Sequence, residues 1–145
     1  MKRKLCIALA ALTLVWSVAG MAAPELSKAL LKTAQSAAGY LASGEYERLV
    51  TLLPFSGIAP GAAEWARFAR NYGALTHVEP EGAVAYWKGE SWIIAVPMAS
   101  EIDENTEALM LLSEDGKTLT GYRYATWDQV EREYARCDEA LRDGF

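Results

Sequence analysis

From Asn105 to Trp127 the chain places two apolar-rich runs, Ala108–Leu112 and Leu119–Tyr124, on either side of Ser113-Glu114-Asp115-Gly116-Lys117. Asp-Gly between such runs is a strong hairpin signal, because glycine takes positive φ without steric cost and aspartate tolerates it. A paired antiparallel sheet is therefore expected at the centre of the fold. Upstream the apolar positions recur at helical spacing: Leu26, Leu30, Leu31, Ala34, Ala38 and Leu41 predict a first helix that starts near Pro24 and ends near Ser43-Gly44. Tyr46, Leu49, Val50 and Leu53 predict a short second helix stopped by Pro54. After a loop rich in turn formers, Trp65, Phe68, Ala69 and Tyr72 mark one side of a third helix over 62–72, closed by Gly73.

The period then changes from helical to two. Ala74–Val78, Ala83–Trp87 and Trp92–Met98 read as strands, the last two as a hairpin. In Trp92–Met98 both faces are apolar, so one is expected to pack on helices and the other to meet a second protomer. Pro97 lacks a ladder donor and predicts a strand end, an edge or a bulge. Gly121 is expected to sit where a side chain would crowd a bend or a neighbouring element. Thr126 with Gln129 fits a capping box that opens a last helix from Trp127 to about Arg142. The pattern amounts to an α+β fold: three N-terminal helices on an antiparallel sheet of about five strands, plus a C-terminal helix.

The order of elements and the local wording resemble the nuclear-transport-factor-two-like, or cystatin-like, superfamily of α+β cones, in particular its small exported members of unknown function. Tyr40-Leu41-Ala42-Ser43-Gly44-Glu45-Tyr46 is similar to that family's helix-then-Gly-Asp-Tyr junction, Glu64-Trp65 through Tyr72-Gly73 to its Trp-containing third helix, and Asp115-Gly116-Lys117 with Gly121-Tyr122 to its final hairpin. The resemblance spans roughly residues 26–126 and implies a strongly bent sheet wrapped into a cone. The helix after Trp127 departs from the family's usual ending.

Length and charge narrow the picture. The chain has 145 residues, enough for one domain with a real core. Met1–Ala22 carries the three parts of a secretory signal: basic Lys2-Arg3-Lys4, an apolar run from Leu5 to Val18, and small residues up to Ala22. Cleavage after Ala22 leaves 23–145 as a single domain, secreted or periplasmic; the alternative is an uncleaved anchor, for which the apolar run is short. The formal charge of −5 becomes −8 once the three leader cations are gone. Such a surface repels nucleic acid and anionic membranes, whereas a basic or amphipathic partner suits it. Cys6 leaves with the leader, so Cys137 has no intramolecular partner; it falls on the stripe Val130, Tyr134, Cys137, Leu141 and reads as a small buried hydrophobe.

Candidate chemistry is sparse. His77 is the one histidine, which excludes a two-histidine metal site, and no nucleophile elbow, P-loop or dinucleotide fingerprint occurs. No catalytic residue, metal or cofactor is assigned. Some cone proteins are isomerases, cyclases or dehydratases, and the resemblance implies an alternative in which a Tyr donor works with His77 or a carboxylate. The strands carry no matching acid: the carboxylates gather at turns, as at Glu79, Glu81, Glu90 and Asp115. Aromatic residues are the more telling group. Trp65, Tyr72, Tyr86, Tyr122 and Tyr124 form the candidate ligand pocket, an apolar wall with hydroxyl and indole donors suited to a small amphiphilic ligand; the competing reading is that they fill the core. Three function classes stand: a small-ligand or protein-interaction module, a cone-fold enzyme, and an envelope accessory or inhibitor protein acting through its surface. A homodimer through the sheet belongs to the first.

Overall fold

A computed structural model describes residues 23–71, 75–78, 82–100, 106–137 and 142–144. The leader, Tyr72, Leu141 and the turn carboxylates Glu79 and Glu81 lie outside the described residues. The fold is α+β. Helices α1 (Lys28–Ser43), α2 (Tyr46–Leu52) and α3 (Ala62–Asn71) precede strands β1 (Leu75–Val78), β2 (Val84–Trp87), β3 (Trp92–Ser100), β4 (Thr106–Ser113) and β5 (Gly121–Thr126). Helix α4 (Trp127–Arg136) and strand β6 (Arg142–Gly144) follow.

The central hairpin forms as its sequence predicts. β4 and β5 pair antiparallel with Leu112 opposite Gly121 and Leu109 opposite Tyr124. In the connecting loop Asp115 caps the backbone: its Oδ1 accepts from Lys117 N at 2.8 Å and Thr118 N at 2.7 Å, and its Oδ2 accepts from the Thr118 hydroxyl. Gly116 follows at φ 77°, where an added Cβ would run into the Glu25 carbonyl and lie 3.2 Å from Leu26 Cα. The loop therefore reaches back to the chain's described start, and Ser27 N donates to Gly116 O at 2.9 Å. Trp92 Nε1 donates to Pro24 O at 2.8 Å, which pins the same segment from the sheet side.

Several expectations need correcting. Pro24 lies in this pinned extended segment, and α1 begins four residues later, at Lys28. Gly121 is not crowded: a Cβ there would meet only Leu112, at 3.8 Å, which is ordinary contact. Pro97 lies inside the longest strand, opposite Ala108 of β4. On the other side of β3 it falls where the partner changes, between Ala95, which pairs with Val84 of β2, and Met98, which pairs with Val78 of β1. A missing donor is tolerated at such a gap. The last helix stops at Arg136, and its expected final residue, Arg142, opens a sixth strand paired with Tyr86 of β2. The sheet order is β5-β4-β3-β2-β6, with β1 also on β3.

Side-chain alternation gives the sheet two apolar faces. Trp92, Ile94, Val96, Met98, Leu109 and Leu111 face α1–α3 and join Leu30, Leu31, Ala34, Leu41, Leu49 and Trp65 in the larger core. Each large apolar side chain buried in this way contributes about 1.5–3 kcal/mol relative to exposure. Ile93, Ala95, Ala108, Met110 and Ala125 take the other face, where α4 covers them with Val130, Trp127 and Tyr134. Thr126 caps that helix, its Oγ1 accepting from Gln129 N at 3.3 Å. The face expected to meet a second protomer is thus packed, at these residues, by the chain's own last helix.

Candidate functional site

On α3, Trp65 and Phe68 are three residues apart and share a side. On β5, Tyr122 and Tyr124 are two apart and share a face. Both pairs point to the same place. The Trp65 ring centroid lies 4.3 Å from that of Tyr122, and Phe68 stacks on Tyr124 at 4.3 Å with 5° between planes. Phe68 also meets Trp65 and Tyr122 edge-on, at 5.6 Å and 5.0 Å. Phe55 closes the group from the loop after α2, with its edge toward Tyr122 at 6.2 Å. That loop is held to the hairpin by two backbone bonds through Leu119, which donates to Pro54 O and accepts from Ser56 N.

Trp65 is fully buried, while Phe55, Phe68, Tyr122 and Tyr124 are half-buried. Four rings thus form a wall that partly faces solvent, backed by the indole. The Trp65 Nε1 hydrogen is buried and has no hydrogen-bond partner among the described residues. Leaving such a donor unsatisfied costs about 1–3 kcal/mol, so its retention calls for a reason. Burial raises the Tyr122 hydroxyl above its ordinary pKa, and the Glu64 carboxylate adds to this while Arg67 opposes it. Those two charged side chains of α3 are exposed.

Of the five residues the sequence groups together, Trp65, Tyr122 and Tyr124 do meet, and Tyr72 lies outside the described residues. Tyr86 is elsewhere, fully buried on the opposite face of the sheet beneath α4. Its hydroxyl donates to Glu133 Oε2 at 2.6 Å, and Lys88 Nζ and Gln129 Nε2 bind the other carboxylate oxygen at 2.6 Å and 3.3 Å. Burial and then the Glu133 bond push the Tyr86 hydroxyl well above its ordinary range. For Glu133, burial acts upward, but donation from Lys88, Tyr86 and Gln129 outweighs it and holds the carboxyl below its usual value. This network binds α4 to β2.

The sequence reading left Phe55 and Phe68 out of the site. The signal for Phe68 was its spacing of three from Trp65; Phe55 had none, because its place depends on a contact with Leu119 far along the chain. His77 lies in β1 opposite Ala99 of β3. Cys137, half-buried at the end of α4, donates its Sγ hydrogen to Trp87 O at 3.0 Å. A separate open cavity of about 520 Å³ is lined by Tyr40, Glu47, Arg48, Thr51 and Leu52, between α1 and α2, and contains none of the five. Among the described residues, no group of three or more His, Cys, Asp or Glu is arranged to hold a metal ion, and no helix is long and apolar enough to cross a membrane. No protein family, curated protein sequence or solved structure matches the chain.

Proposed function

We propose that the chain is an exported binding module of the nuclear-transport-factor-two-like cone type, which takes a small amphiphilic ligand or an apolar segment of a protein partner on the aromatic wall of α3 and β5. The carrying observation is the wall itself: four half-buried rings from three separate chain segments, converging on a buried indole whose donor is unused. A plain core closes its aromatic rings away from water and pairs their polar tips; ligand sites combine apolar rings with a few donors. The tripartite leader supports export, with the mature chain starting at Ala23. A homodimer is compatible with this reading only through sheet surface that α4 leaves uncovered.

Two measurements test it. Intact mass of the protein recovered from an exporting host should correspond to a start at Ala23, and full-length mass in the soluble fraction refutes export. Thermal melts against a panel of flat, largely apolar compounds should show stabilisation, about 2.7 kcal/mol at a hundredfold excess over Kd for a ligand that binds only the folded state. A panel without any saturating stabiliser refutes small-ligand binding at the wall.

A further inference from the structure

Trp65 limits what the wall can accept. Its indole is fully buried in an apolar core, its Nε1 hydrogen has no acceptor among the described residues, and three rings pack on it: Tyr122 at 4.3 Å, Phe68 at 5.6 Å and Phe55 at 6.5 Å. An apolar surround makes the donor costly to leave idle and correspondingly favourable to satisfy. Phe68 and Tyr122, the two nearest rings, are only half-buried, so the indole lies a single ring's depth from solvent. Desolvation decides between acceptors: an anionic ligand would lose its hydration on entering a ring-lined site, whereas a neutral acceptor loses far less.

We infer that the ligand of this wall is a flat, neutral, largely apolar molecule bearing a carbonyl oxygen, with its apolar body against Phe68, Tyr122 and Tyr124 and its carbonyl accepting the Trp65 Nε1 hydrogen. The inference rests on the binding reading above and adds the ligand's chemical class to it. A site whose buried donor needs a partner rejects an analogue lacking that partner, because the donor then stays unpaired.

The test uses the full mature chain and a matched pair of probes, acetylnaphthalene and ethylnaphthalene, which are close in shape and differ by the carbonyl. Titrations followed by calorimetry and by the indole region of a proton–nitrogen correlation spectrum need no variant, because the Trp65 resonance is assigned from its contacts to the Tyr122 and Phe68 rings. The ketone should bind about tenfold more tightly than the hydrocarbon, the equivalent of about 1.4 kcal/mol. It should also move the Trp65 indole proton downfield, which the hydrocarbon does not. Equal affinities with an unmoved indole proton overturn the carbonyl assignment and leave the wall as a binding surface. Failure of both probes to bind overturns the assignment together with the binding reading.

Discussion

Beneath α4, Tyr86 buries a ring and a hydroxyl together, and the hydroxyl has Glu133 at 2.6 Å with Lys88 and Gln129 completing the carboxylate's bonds. Beneath α1–α3, Trp65 buries a larger ring whose donor has no partner among the described residues. The two sit on opposite faces of one sheet and were indistinguishable as candidates in the sequence. A satisfied network of this kind fixes how a helix docks. An unsatisfied donor backed by half-exposed rings has a cost that only an added group removes. The difference separates an aromatic whose polar tip is satisfied from one whose tip is not, which burial alone does not do, since both residues are fully buried.

The largest effect should come from the segment that closes the α1 face. Gly116→Ala would force a side chain into the Glu25 backbone at a φ of 77°, and should cost about 3 kcal/mol by chemical denaturation, from left-handed strain and crowding together. On the α4 face, Glu133→Ala strands the buried Tyr86 hydroxyl and should cost about 2 kcal/mol, while binding at the wall stays at its wild-type level. Calorimetric melts with probe titrations read both quantities; lost binding in Glu133→Ala would couple the two faces and break the contrast.

Acid should act through carboxylates on both sides. Backbone donation from Thr118 and then Lys117 holds the exposed Asp115 carboxyl at about 2, below its ordinary 3.8. A depressed pKa of this kind gives stability that is present above the unfolded value and is lost as pH falls through the folded one. Glu133, also depressed, has the same sign. Melting temperature should therefore fall between about pH 4 and pH 2, and less so in Asp115→Asn. A profile identical to wild type in that variant contradicts the capping role. The smallest effect belongs to Gly121→Ala, where the added Cβ makes ordinary contact with Leu112; stability should change by less than about 0.5 kcal/mol.

Much of this architecture was legible because local signals carried it. The hairpin's Asp-Gly turn, the Thr126–Gln129 cap and the αL Gly44 that ends α1 each depend on residues a few positions apart. Alternation also placed Tyr122 and Tyr124 on the helix side correctly. Period two cannot say which of two apolar faces a strand residue takes, however, and so Tyr86 was grouped with rings that lie across the sheet. Likewise Gly116 is crowded and Gly121 is not, because the neighbour of Gly116 is Glu25, ninety-one positions earlier, and no local pattern encodes that approach. The end of α4 escaped for the same reason: β6 is defined by pairing with Tyr86, against a helical stripe that continues through Leu141.

The central claim is that the rings on the α3–β5 side bind and those under α4 do not. Its most direct test is a titration of the neutral fluorophore phenylnaphthylamine into wild type, Phe68→Ala and Tyr86→Phe. Saturable one-to-one binding is expected in wild type, about tenfold weaker binding in Phe68→Ala, which loses the ring stacked on Tyr124, and unchanged binding in Tyr86→Phe. Absence of saturable binding in wild type, or an equal loss in both variants, would contradict it.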